Sequence, residues 1–312
     1  MISEQYLELG LTGLGRCTHA IWEAHFPAAV LAGFYYTANN KLPAQTERKI
    51  ESQLNLLIAS KRELFEPCAK GDTLTDPAGP ITEALEVSID KFSELGHNSI
   101  FAAYALRALH DLGGAGRAQT VRDIASVIRQ FDHGPARYWL RIGQGHDPRK
   151  FTLPERIIFP DDLPDRALAS VILTELPKFK NIYTQMGSKS HIGHLLTQSH
   201  SLITLRALGF GPLANRGFYS LECRFVLLKD SQQHTASPNS FYRPATRSAL
   251  LPDEPGYWGQ DFARCEWDEG HAFKYTFSFF ELMNLLPAGV VEREATEKFR
   301  YLISPNERST ST

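Results

Sequence analysis

The sequence predicts an all-α protein: a single helical domain over residues 1–303, with four histidine-bearing helices converging on a buried metal site. Three observations carry that prediction. Apolar residues recur near a 3.6-residue period in almost every apolar segment, as they do on helices with one buried face. Strand-like alternation is scarce. A histidine returns in four otherwise oily segments spread along the chain, at His25-Phe-Pro-Ala-Ala, His97-Asn-Ser-Ile, His194-Leu-Leu-Thr and His271-Ala-Phe-Lys. The neutral imidazole is the commonest protein metal ligand.

The bulk composition sets the frame. The chain has 312 residues, 43% of them apolar and 22% charged, with a formal net charge of −2. It is long enough to bury a sizeable core. A near-neutral balance gives no field that would steer it to nucleic acid or to an anionic membrane. The four cysteines, Cys17, Cys68, Cys223 and Cys265, lie far apart without a Cys-x-x-Cys pair. They read as reduced thiols, which fits a cytoplasmic protein. The opening Met-Ile-Ser-Glu-Gln-Tyr-Leu-Glu has no signal-peptide pattern, and no apolar run reaches the length of a membrane span.

Taken in chain order, residues 46–65 place Ile50, Leu54, Leu57, Ile58 and Leu64 on one helical face. The pattern over 82–111 is read as one helix, stopped by Gly113-Gly114. Its small residues Ala102, Ala103, Ala105 and Ala108 let neighbouring backbones approach closely. Val121, Ile124, Ala125, Val127 and Ile128 mark a helix over 118–131, and 166–185 is similar with an interruption at Pro177. Residues 190–208 predict one long helix closed by Gly209. Residues 270–286 predict the last strongly apolar one, stopped by Pro287 and Gly289. Glu222–Leu228 fits strand or helix equally, and Ile157-Ile158-Phe159 is too short to matter. Residues 229–261, rich in Ser, Pro, Asn and Gly, read as a long loop of the kind that is usually functional. The tail 304–312 reads as disordered.

A lone histidine is more often a satisfied core or surface residue than a ligand, and His110, His133, His146 and His234 fit that description beside Gly, Asp or Pro. His19 and His25 are six apart on one expected helix, so they face directions about 120° apart. His194 and His200 share that spacing, whereas His191 and His194 can share a face. Each segment therefore supplies about one ligand, with His191 and His200 as replacements if a register slips. Lys274 lies on the face of His271, among Phe273, Tyr275, Phe277, Phe279 and Phe280. A lysine aimed into an apolar interior is costly unless paired or neutralised, and burial lowers its pKa. A neutral amine can add carbon dioxide and become a carbamate, with carboxylate-like oxygens that suit a metal. The alternative is a snorkelling lysine with its amine in water.

These four blocks, in this order, resemble the questin oxidase-like family. His25-Phe-Pro-Ala-Ala resembles that family's first His-x-Pro helix. His97-Asn-Ser-Ile, running on to Leu-Arg-Ala-Leu, resembles its second. His194-Leu-Leu-Thr resembles its His-x-Val-Thr helix, and His271-Ala-Phe-Lys its closing His-x-x-Lys helix. The resemblance covers short blocks between about residues 20 and 285. It implies an all-helical oxygenase of aromatic polyketide metabolism that oxidatively opens an anthraquinone-type ring. It also implies non-haem iron, Fe(II), held by His25, His97, His194, His271 and a carboxylated Lys274. The expected partners are a small planar aromatic substrate and dioxygen, with NADPH as outside reductant if the enzyme is a monooxygenase. Trp258, Phe262, Trp267 and Tyr275 could line a flat pocket or simply pack the core. The chain is shorter than usual for that family.

Other readings compete. Asp161-Asp162-Leu-Pro-Asp165 is a literal DDxxD, the magnesium motif of terpene synthases, although Pro160 and Pro164 argue for a turn there. A non-catalytic helical protein binding a metal or haem is the remaining alternative.

Overall fold

The computed structural model describes residues 2–67, 71–92, 94–131, 152–153, 158–184, 188–232 and 243–305. Helices dominate because apolar periodicity does. In chain order they are α1 (Gln5–Arg16), α2 (His25–Asn39), α3 (Ala44–Ser60), α4 (Arg62–Phe65), α5 (Ala78–Glu86), α6 (His97–Asp111) and α7 (Ala118–Gln130). After these come α8 (Asp165–Glu175), α9 (Ser188–Ala207), α10 (Gly211–Ser231), α11 (Glu266–Glu269), α12 (His271–Asn284) and α13 (Val290–Ile303). Among the described residues the strand content is two short antiparallel pieces, β1 (Thr73–Leu74) and β2 (Gly116–Arg117), plus one bridge between Tyr183 and Pro244. The protein is all-α, as the periodicity predicts, and its apolar side chains form one continuous core. No described helix is long and apolar enough to cross a membrane.

Four helices make the centre. Helix α2 packs on α1, α6 and α12, and α9 packs on α6, α10 and α12. Helices α2 and α9 are buried along almost their whole length. Helix α2 is accordingly apolar or small nearly all round, whereas α9 also buries large polar side chains, among them Lys189, His191, His194, Gln198 and His200.

The boundaries differ from the sequence reading in instructive ways. His19 and His25 are not on one helix: Cys17–His19 and Ile21–Ala24 are separate 3₁₀ turns, and α2 starts at His25. Pro27 stands in the first turn of α2, where its missing N–H costs no hydrogen bond. The segment 82–111 is two helices with a break between them. Leu95 and Gly96 both take the left-handed conformation, with φ of 59° and 77°. The Asn98 amide stitches the break by donating to the Ser88 carbonyl and hydroxyl at 3.0 and 2.9 Å. Glu222–Leu228 is interior to α10, which runs on to Ser231 and so takes the first three residues of the expected loop 229–261; the described remainder of that loop contains one short 3₁₀ turn, Tyr257–Gly259. Helix α8 ends before Pro177, at Glu175. Cys68, His133, His146, Ile157, His234 and most of the tail lie outside the described residues.

Gly193 sets the closest approach of α9 to α12, since a Cβ there would run into the Tyr275 ring. Overpacking of this kind typically costs about 1–3 kcal/mol. Gly193→Ala should therefore lower stability by about that amount. Urea unfolding of the two proteins measures it, and equal midpoints would show that the contact relaxes without cost.

Candidate metal centre

Three of the four histidines are the first residue of their helix: His25 of α2, His97 of α6 and His271 of α12. The fourth, His194, projects from within α9. Glycine makes two of these starts possible. Gly96 and Gly270, with φ of 77° and 72°, precede His97 and His271. Both are also short of space. A Cβ on Gly270 would come within 2.6 Å of the Ala29 Cβ and 2.8 Å of the His25 carbonyl, and one on Gly96 within 2.7 Å of the Gln198 side chain. Gln198 is itself fixed, accepting from Arg224 and donating to Ser220, each at 2.8 Å.

The four imidazoles meet in the core. Ring centroids are 4.6 Å apart for His25–His97 and for His97–His194, 4.8 Å for His25–His271 and 5.0 Å for His194–His271. All four residues are at least nine-tenths buried, and so is Lys274. Ligand nitrogens of His25, His97 and His194 lie within 4.8 Å of one another, so this buried group could hold a metal ion. Nε2 of His97 and Nε2 of His194 are 2.8 Å apart. Two imidazole nitrogens on one metal, each at about 2.1 Å and at right angles, would stand about 3 Å apart.

Outer hydrogen bonds turn the Nε2 atoms inward. Nδ1 of His194 donates to the Ser190 carbonyl at 2.7 Å, with the Tyr275 hydroxyl 3.2 Å away. That places the proton on Nδ1 and leaves Nε2 with a lone pair. Carbonyls of Glu269 and Asp268 hydrogen-bond His25 and His271 respectively. Nε2 of His25 and of His271 has no hydrogen-bond partner, and Nδ1 of His25 also contacts the Lys274 amine. Carbonyl-held Nδ1 with an open Nε2 is the arrangement of metal-bound histidine. Buried polar atoms are otherwise paired almost without exception.

The carbonyls come from an unusual piece of backbone. Glu266, Trp267, Asp268 and Glu269 all have positive φ, between 48° and 56°, so α11 is one turn wound left-handed, with Gly270 continuing it. Each non-glycine residue in that region costs about 1–2 kcal/mol. The turn is tied down by Trp267 Nε1 donating to Gln53 at 2.9 Å and by a Lys189–Asp268 ion pair at 3.1 Å. It delivers a residue that reading the sequence missed. Ligand atoms of His25, Glu269 and His271 also lie within 4.8 Å of one another. Glu269 is exposed along part of its side chain. Its carboxyl is nonetheless held above the usual carboxylate range by burial, against the pull of Lys274. The one available signal was the acid two residues before His271, in Glu-Gly-His.

Lys274 does not snorkel. Its amine contacts Nδ1 of His25 and lies 3.3 Å from the Glu269 carbonyl. Burial pushes its pKa down to about 7, although Glu269 and Asp268 favour the charged form.

The remaining candidates lie elsewhere. Nδ1 of His200 is 3.2 Å from Ser278 and its ring packs on Phe277. His191 is buried but belongs to neither group of converging ligand atoms. His200 likewise belongs to neither group. Asp161 and Asp162 are exposed in a turn, and Asp165 pairs with Arg206 at 3.0 Å. The DDxxD carboxylates therefore gather on no common face. Trp258, Phe262, Trp267 and Tyr275 are buried and pack the core, with Trp258 stacked on Phe273. Among the described residues the exposed large aromatic is Trp22, 42% exposed, its ring edge-on to His97 at 5.6 Å.

No protein-family model matches the chain, and neither does any curated protein or solved structure.

Burial, with repulsion from Lys274 or neighbouring imidazoles, holds His25, His194 and His271 well below the usual histidine pKa, and burial pushes His200 down to about 3. Lys274, pushed down to about 7, makes stability rise with pH above that value, whereas these histidines are neutral in both folded and unfolded chains above about pH 6.5 and add no slope there. Below it the unfolded chain takes up protons that the folded chain refuses. Metal-free protein should lose up to about 1.4 kcal/mol per pH unit per histidine as the pH falls. Denaturant titrations from about pH 7.5 to 5 measure the slope. A level profile would mean that these imidazoles protonate freely in the fold.

Proposed function

We propose that the protein is an oxidoreductase of the non-haem iron type: an oxygenase whose metal is held by His25, His97, His194, His271 and Lys274. The observation that carries the reading is the pair of open, buried Nε2 atoms on His25 and His271 beside the facing Nε2 atoms of His97 and His194. A purely structural cluster would pair these atoms with donors or acceptors. Imidazole suits iron, copper, nickel and zinc alike. The choice of iron rests on the resemblance of the four histidine blocks and on a lysine placed among them.

Lys274 has the surroundings that carbamate formation needs. A neutral ε-amine attacks carbon dioxide, an N–C bond forms, and one proton leaves to solvent, giving an anionic carbamate. The pKa near 7 makes the neutral amine available at ordinary pH. His25, His194 and His271 stay neutral there, so their lone pairs need not be freed from protons before a metal binds. When bound, iron would supply the activation of dioxygen, drawing on NADPH or another outside reductant if a single oxygen atom is inserted. Tyr275, Ser190 and the α11 carbonyls would orient the rings from behind. The exposed Trp22 indole gives a planar aromatic compound a stacking face beside His25 and His97. A polyketide of the anthraquinone type is the substrate class that the resemblance suggests.

The test is metal analysis of protein purified without oxygen and reconstituted with Fe(II), followed by dioxygen uptake with anthraquinone-type phenols. About one iron per chain, without haem absorbance, is the expected result. Lys274→Ala should lower iron affinity by about tenfold or more and abolish nearly all uptake. Lys274→Arg should not rescue it, and activity should rise with bicarbonate. Wild-type protein that takes up no metal, or a Lys274→Ala variant with full iron and full turnover, would overturn the assignment.

A further inference from the structure

The left-handed turn α11 puts a carboxylate at the open edge of the histidine cluster, where the sequence patterns assign none. Glu269 has a carboxylate oxygen within 4.8 Å of ligand nitrogens of both His25 and His271. That carboxylate makes no hydrogen bond or ion pair among the described residues, whereas its neighbour Asp268 is held by Lys189. The same two imidazoles each carry a buried Nε2 that has no hydrogen-bond partner.

Charge gives the arrangement a purpose. Four neutral imidazoles leave a divalent cation uncompensated in a buried site, where an unpaired charge is costly. Helices α2, α6 and α12 add to that cost, because each begins at its histidine and a helix N-terminus carries partial positive charge. The carbamate proposed on Lys274 supplies one negative charge, and a second anionic ligand would bring a divalent centre to neutrality. Glu269 is the carboxylate within ligand reach among the described residues.

We propose that Glu269 is a metal ligand, an anionic and exchangeable one that closes the solvent side of the centre and is displaced when an anionic molecule enters. The proposal rests on the metal-centre reading above. Exchangeability follows from position: the side chain is partly exposed, so water or an incoming anion can compete for its place. The same placement gives the strained turn a role, since unwinding it would carry the carboxylate away from His271. Backbone strain of this kind persists where the surroundings over-determine it, and it clusters at functional sites.

Co(II) is the probe, because its visible absorption reports the ligand set whether or not the protein turns over. Glu269→Gln keeps shape and removes charge; Glu269→Asp keeps charge and shortens reach. For Glu269→Gln we expect Co(II) affinity, measured by chelator competition, to fall at least about tenfold. Its absorption bands should shift, and azide should bind the Co(II) protein more tightly than it binds wild type. Glu269→Asp should recover part of the affinity. Unchanged affinity, spectrum and azide binding in Glu269→Gln would overturn the proposal. Wild-type protein that binds no Co(II) would instead remove the centre itself, and the ligand with it.

Infrared difference spectra of wild type with and without Co(II) give a readout that needs no variant. Coordination of Glu269 predicts a metal-induced carboxylate band that does not move with ¹³C-bicarbonate, whereas a carbamate band on Lys274 would move. A metal-induced band that moves entirely with the label would assign the anionic oxygen to Lys274 and exclude Glu269.

Discussion

Burying nitrogen lone pairs is the constraint on which this fold turns. Four imidazoles and an amine lie at the centre of a helical core, and each has lost its water. An isolated buried polar atom costs about 1–3 kcal/mol unless something replaces that water. The outer edges of the His194, His271 and His25 rings are provided for by the carbonyls of Ser190, Asp268 and Glu269 respectively. The inner edges face one another. Helix starts, glycine positions and the left-handed turn all serve to hold the rings in this inward arrangement.

Two different devices aim the side chains. His194 is carried by the long buried helix α9, whose neighbours on both sides lock its rotation. The other three stand at helix beginnings, where the chain arrives from an irregular segment and its direction is set locally. For His97 and His271 that direction comes from left-handed residues just before the helix. For His25 it comes from a 3₁₀ turn that ends where Pro27 can enter the first turn. Because the histidine is the first helical residue each time, one backbone change at the cap moves the ring without disturbing the packed helix behind it.

Much of this was legible in the chain, and what was not has physical causes. The helical class follows from apolar spacing, and His25, His97, His194 and His271 stand out because polar residues are conspicuous in oily segments. The break before His97 was hidden because the 3.6-residue pattern continues in register through Ser88 and Asp90, while Leu95 and Gly96 turn the backbone. Helices α10 and α13 were missed because their apolar faces are diluted by charged residues such as Arg216, Arg224, Glu292 and Lys298. Glu269 was invisible for a deeper reason. Four successive non-glycine residues in left-handed conformation contradict local preference, so only tertiary contacts such as Trp267–Gln53 and Lys189–Asp268 could specify the turn. The aromatic residues near His271 fit a pocket wall or the core equally as sequence, since composition does not separate the two, and the fold puts them in the core.

The spread of the ligands along the chain has a kinetic meaning. His25 and His271 come from near opposite ends of the described chain, with His97 and His194 between them. Contacts so distant in sequence have a large loop-closure entropy to overcome and form late in folding. The cluster cannot close until α12 has docked against α2, so a nascent chain lacking its last helices offers only fragments of the site. Capture of a cation would then report completion, stabilising only chains that have fully assembled and leaving partial ones to unfold.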